Sequence, residues 1–386
     1  MPRARAVLVG WCLLAAAPAR AEAPRLRLGL EAGTELDTNP HRDEGSDLTQ
    51  PTAGVARGAA RLQLGWRPRP GQALRLAAVA AGKKFTPDGE ADEEDVAVVT
   101  GDLRYEVALG ERPLSLGGRV TYYDAFERDT VVAGRSQDRD FRTGDGSLAL
   151  TLLGEGDHRV VASAGYRLFQ YKPNRAFDFG GEYAGLAYAR AFALGDPDAE
   201  GDARSIDLGA QYAAHRRRYR TDSINNVCPD DGTPSAECRR RSDLERVDLF
   251  HIAAVELTYT GTRILSARYE VHVNGSTSFG ESLVRHRLEL SATSELVAEI
   301  FLNAKLIVQV NQFLDPLLLT GDTGTFVTIE DESRNALVLH ATRDLGGAWT
   351  LEARYGLYTN PFSPSDLGYR RQTATLGAIY TFRSGP

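Results

Sequence analysis

The sequence predicts an all-β fold, a transmembrane antiparallel up-and-down β-barrel of about 16 strands (16–18). Three observations carry this prediction. Apolar and polar residues alternate with a period of two along almost the whole chain. The connections between the alternating segments are short and long by turns. Beyond residue 21 no stretch offers the roughly 18 consecutive apolar residues of a membrane-spanning helix.

The first strand sets the pattern. In residues 25–37, RLRLGLEAGTELD, Leu26, Leu28, Leu30, Ala32 and Leu36 fall on one face. Arg25, Arg27, Glu31, Glu35 and Asp37 fall on the other, a sorting that a strand produces and a helix does not. The pattern returns near 55–67, 72–85, 96–110, 114–127, 139–153, 158–171, 181–193 and 204–219. It continues near 245–260, 263–274, 282–294, 297–311, 334–344, 348–358 and 369–382. Most segments exceed the roughly 5–6 residues of a globular strand and match the roughly 9–11 that cross a bilayer at a tilt.

Short turns are expected at 68–71, 110–113, 154–157, 195–203, 260–262, 293–295 (Thr-Ser-Glu) and 345–347. Long connections are expected at 38–54, 86–95, 128–138, 172–180, 220–244, 275–281, 312–333 and 359–368. Bacterial outer-membrane barrels place short turns in the periplasm and long loops outside, so both chain ends are expected in the periplasm. A soluble sandwich has no reason to keep this rhythm. Strand number stays open by two, because 312–333 has room for another hairpin. Aromatic residues suggest two interfacial girdles. Trp66, Phe192, Tyr259, Trp349, Tyr380 and Phe382 mark the periplasmic ends, and Phe85, Tyr123, Phe126, Tyr171, Tyr219 and Tyr358 the outer ends.

Residues 1–21 read as a cleaved signal peptide, leaving the barrel over 22–386. Arg3 and Arg5 precede an apolar stretch, Val7 to Ala17, and Ala19-Arg20-Ala21 has the small-x-small form of a cleavage site. The exported chain keeps only Cys228 and Cys238, which are expected to close a loop as a disulfide. Net charge is −7, and no basic run stands apart from acidic neighbours, which argues against nucleic acid. A mean hydropathy of −0.31 usually argues for a soluble protein but does not exclude a barrel, where only alternate residues face lipid.

With apolar residues toward lipid, the polar face lines the lumen. Arg61, Gln63 and Arg67 come from one strand, and Arg285, Arg287 and Glu289 from another. Asn303, Lys305, Gln309 and Asn311 follow on the next, and Glu352, Arg354 and Arg371 on the last two. A barrel of about 16 strands has room for an aqueous channel. The alternative is a lumen sealed by salt bridges and loops. The loops at 220–244 and 312–333 are candidates for narrowing a pore or holding a partner. The acidic run at 87–95 reads as a solvated loop, with cations that bridge lipopolysaccharide as a second possibility.

No enzyme is expected. In His272-Val-Asn-Gly-Ser276 an asparagine stands where outer-membrane lipases and deacylases carry their serine, and a hydrolase needs serine and base within hydrogen-bond reach. The histidines lack metal-ligand spacing, and nothing calls for a cofactor.

The strands, turns and C-terminal Arg-Arg-Gln-Thr-Ala-Thr-Leu-Gly-Ala-Ile-Tyr-Thr-Phe (370–382) resemble Gram-negative outer-membrane β-barrel proteins over the whole of 22–386. Their closing strand commonly ends in an aromatic residue read by the barrel-insertion machinery. Here Arg383 to Pro386 follow Phe382. The opening LGLEAGTELDTNPHR (28–42) resembles the first strand of barrels associated with exopolysaccharide export. The resemblance implies an outer-membrane location among lipid and lipopolysaccharide. It implies a pore for polysaccharide or hydrophilic solutes, with periplasmic export components as partners. Its alternative is a closed structural barrel in an envelope complex such as a motility machine.

Overall fold

The computed structural model describes residues 22–39, 52–86, 95–110, 112–125, 141–154, 157–172, 175–194, 204–227, 239–297, 299–314, 335–360 and 369–384. The expected leader, Cys228, Cys238, the loop at 315–333 and acidic residues 87–94 lie outside them.

Sixteen strands form one closed ring. The first eight are β1 (Arg25–Asp37), β2 (Ala53–Trp66), β3 (Gln72–Phe85), β4 (Val96–Leu109), β5 (Arg112–Ala125), β6 (Phe141–Leu153), β7 (His158–Tyr171) and β8 (Phe179–Leu194). The others are β9 (Arg204–Asn226), β10 (Arg239–Thr260), β11 (Arg263–Ser276), β12 (Leu283–Glu295), β13 (Ile300–Phe313), β14 (Asn335–Asp344), β15 (Trp349–Asn360) and β16 (Tyr369–Ser384). Each pairs antiparallel with its successor, and β16 returns to β1 through Leu28↔Phe382 and Leu36↔Ala374. Because β13 pairs directly with β14, no further strand enters the ring between them.

The two faces differ as the alternation requires. On β1, Glu31, Glu35 and Asp37 are buried, while the adjacent Leu30 and Leu36 are 47% and 59% exposed. Side chains on the concave side of a closed sheet converge and cover one another, so the charged face is the inner one. Opposed residues of an antiparallel ladder share a face, which carries this assignment round the ring. Leu103, Val120, Leu148, Leu186, Val255 and Leu376 point outward and are all about half exposed or more. This inverts the arrangement of a water-soluble protein.

Three segments depart from expectation. The turn expected at 293–295 comes later, after Glu295. Thr293 and Glu295 still pair with Asn303 and Phe301, Leu296 N–H donates to Ile300 C=O at 2.8 Å, and Glu299 turns the chain at φ 62°. The strand expected from 297 therefore starts at Ile300.

Most of the expected loop 220–244 is strand. β9 and β10 run 23 and 22 residues, against 16 and 14 in β8 and β11, and remain paired to Asn226↔Arg239. Beyond Tyr219, the last partner of β8, this arm runs about 20 Å along the strand. Register shifts between Arg241 and Val247 bend it, and the β11–β12 connection ties it down. There Phe279 N–H donates to Ile224 C=O at 2.8 Å and Val247 N–H to Thr277 Oγ1 at 2.9 Å.

The third departure is the outer girdle. Trp66, Phe192, Tyr259, Trp349, Tyr380 and Phe382 do share the outward phase at the short-turn end, where Trp349 and Tyr380 meet edge to face at 5.1 Å. At the long-loop end Phe85, Tyr171, Tyr219 and Tyr358 occupy the inward phase instead, and Phe85 and Tyr219 are buried. Their position near a strand end suggested an interface, but their parity with Lys83, Phe169, Arg217 and Arg354 turns them inward.

Candidate functional site: the inner wall

The inner wall divides into three sectors. The first joins the ends of the chain, across β14, β15, β16, β1, β2 and β3. Glu31 accepts from Arg57 Nη2 at 2.7 Å and pairs with Arg61. Glu35 accepts from Lys83 Nζ at 2.5 Å and from Thr375 Oγ1 at 3.1 Å, with Arg57 at 3.5 Å. Asp37, with no exposed surface, receives Arg371 Nε at 2.9 Å and also its Nη2. Glu352 accepts from His340 Nε2 at 3.0 Å and lies 3.5 Å from Arg354. A carboxylate buried without partners would cost several kcal/mol, so these groups stand or fall together.

The second sector, β10 to β13, is a ladder of charges spaced two residues apart on each strand. Arg268 bridges Glu256 at 3.1 Å and Glu270 at 2.8 Å, and Glu270 also holds His272. Glu289 joins Arg287 at 3.3 Å and Lys305 at 2.6 Å. Arg285 Nε donates to Asn311 Oδ1 at 2.9 Å, and Asn303 Nδ2 to Thr293 Oγ1 at 2.7 Å. Gln309 is buried beside them, its backbone N–H donating to Asn335 Oδ1 at 2.7 Å.

The third sector, β6 to β10 at the long-loop end, is aromatic. Phe141 stacks on Phe169 at 5.8 Å, Phe169 on Phe179 at 5.3 Å, and Phe179 meets Tyr219 at 5.3 Å. Arg217 lies between Phe179 and Phe250, 4.7 and 3.9 Å from their centroids. Arg246 lies 4.0 Å above Tyr219, and Asp248 anchors it through two hydrogen bonds of 3.1 and 2.8 Å. Stacked rings and cation–π contacts are worth about 0.5–2 kcal/mol each.

Of the residues expected to line the lumen, Arg61, Gln63, Arg285, Arg287, Glu289, Asn303, Lys305, Gln309, Glu352, Arg354 and Arg371 lie in the inward phase. Arg67 does not belong with them. It sits past the end of β2 in the turn, 67% exposed and 3.4 Å from Glu22. Arg57, Lys83, Arg217 and the ring series also face inward, beyond the residues expected there. Their inward parity with Arg61, Phe85 and Tyr219 was the signal that identifies them.

The segment holding His272 and Ser276 assembles no catalytic pair. Ser276 Oγ donates to Asp248 Oδ1 at 2.5 Å, whereas His272 turns to Glu270. Four residues apart on one strand, the two side chains are separated by about 13 Å.

No protein-family model matches the chain, and a search of curated protein sequences gives no match. Solved structures similar to it include OmpTdeltaL8, a loop L8 deletion mutant of the outer membrane protein OmpT of Vibrio cholerae. That match has 15% identity over 94% of this chain and 100% of that one, with a TM-score of 0.46. The anion-selective porin from Comamonas acidovorans has 11% identity over 94% and 100%, with a TM-score of 0.47. OccAB1 from Acinetobacter baumannii has 8% identity over 94% and 97%, with a TM-score of 0.46.

Proposed function

We propose that this barrel is a non-enzymatic channel of a Gram-negative outer membrane that passes hydrophilic solutes, with polysaccharide leaving the cell as its specific cargo. The observation that carries the reading is the direction of the inner-wall ion pairs. The pairs named above join strands at most two apart in the ring, as in Lys83–Glu35, Arg371–Asp37 and Arg268–Glu256. Such pairs run along the wall, satisfy the charges there and leave the axis to water. An apolar outer face, a polar inner face and outward aromatic residues at the short-turn end support placement in a bilayer. Short turns then face the periplasm, a signal peptide at 1–21 delivers the chain there, and the barrel-insertion machinery and lipopolysaccharide are its partners.

Purified barrel in a planar bilayer is expected to give stable unit conductance, and Arg285→Glu with Arg287→Glu to shift its ion selectivity toward cations. Unchanged selectivity would remove those arginines from the conduction path. A silent barrel would favour a structural role in an envelope complex. The projecting β9–β10 arm favours that second reading, because it displays Leu244, 71% exposed, well beyond the neighbouring strands.

A further inference from the structure

The short-turn mouth of β1 to β4 carries a concentration of guanidinium groups that the wall does not neutralise. Arg25, Gly65, Arg75 and Arg104 follow one another on a single register row, through the pairs Arg25↔Gly65, Gly65↔Arg75 and Arg75↔Arg104. All occupy the inward phase, and Arg27 lies in that phase one step up β1. Among the described residues, Arg25, Arg27 and Arg75 make no ion pair, and all three are exposed. Only Arg67 and Arg104 have acidic partners there, Glu22 at 3.4 Å and Glu106 at 3.0 Å.

A cavity of about 170 Å³ opens among these groups, lined in part by Arg25, Gly65, Trp66, Arg67 and Arg75. The space beside Gly65 is open, and a Cβ there would meet nothing within 4 Å. Arg25 and Arg75 stand two strands apart, about 10 Å, and Arg104 one strand further. Guanidinium groups bind carboxylate and phosphate through paired hydrogen bonds, and several at fixed spacing favour a ligand with several anionic groups.

We propose that this mouth is a binding site for a polyanion, a chain bearing repeated carboxylate or phosphate groups, held by Arg25, Arg75 and their neighbours beside Trp66. The proposal rests on the channel reading for the side of approach, the periplasm, and deepens it by naming the charge of the cargo. Polyanion is drawn to the mouth before it meets the neutralised wall above.

Trp66 has the outward phase on β2 but borders the same cavity, and so supplies a readout independent of conduction. In full-length refolded barrel carrying Trp11→Phe and Trp349→Phe, its fluorescence is followed while hexagalacturonate, tripolyphosphate or maltohexaose is added. A saturable change with either anion and none with maltohexaose is expected. The anion that responds identifies glycan carboxylate or phosphate as the source. Binding should weaken about tenfold for each arginine replaced in Arg25→Gln and Arg75→Gln, judged on protein that keeps its heat-dependent shift in SDS gels. Affinity of the unaltered site must also fall as salt rises. No response to either anion, an equal response to maltohexaose, or salt-independent binding would overturn the site. A conducting barrel that fails these tests loses only the site, whereas a silent barrel that passes them loses only the channel.

Discussion

Within β1, β2 and β3, two populations of charge lie a few residues apart on the same inner face and behave differently. Toward the long loops, Glu31, Glu35 and Asp37 are buried and held by Arg57, Arg61, Lys83 and Arg371. Toward the short turns, Arg25, Arg27 and Arg75 are exposed and make no ion pair among the described residues. The first group has exchanged water for partners and contributes to holding the wall. The second keeps its water and contributes field. A charge therefore tells little about its role until its partners are known.

Four substitutions bring this difference to measurement, in order of expected effect. Asp37→Asn weakens the pair that ties the first strand to the last and leaves Arg371 uncompensated. It should cost about 3 kcal/mol, read as a lower urea midpoint in the same detergent. Arg57→Gln strips one partner from both Glu31 and Glu35 but leaves Arg61 and Lys83 in place, so a loss of about 2 kcal/mol is expected by the same measurement. Arg217→Ala removes the guanidinium between Phe179 and Phe250 and should cost about 1 kcal/mol, with a change in near-ultraviolet circular dichroism. Arg75→Gln should leave the urea midpoint where it was and lower only anion preference in conductance. A destabilised Arg75→Gln, or an Asp37→Asn as stable as its parent, would break the distinction.

Much of this was legible in the sequence. Period-two alternation marks every strand, and borders agree within two residues except at β9, β10 and the start of β13. The arm was missed because Ser223, Arg240, Arg241 and Asp243 break the apolar pattern. On the bilayer placement proposed above, a strand that runs past the membrane has no lipid to demand one. The outer girdle was misread because nearness to a strand end was weighed above phase: Phe85 stands two residues from Lys83, and that parity turns it inward. Partners were harder still. Which carboxylate meets which cation depends on register between strands far apart in sequence, as with Asp37 and Arg371, 334 residues apart.

That last contact has a consequence in time. β1 and β16 stand at opposite ends of the strand order, so the ring cannot close until β16 is in place beside β1. Until then Glu35 and Asp37 lack Thr375 and Arg371, and both edges offer unpaired backbone to any passing strand. The circle closes only with β16, and a barrel halted before that pairing would be an open, adhesive sheet. The join that makes the finished wall seamless also makes its assembly all or nothing.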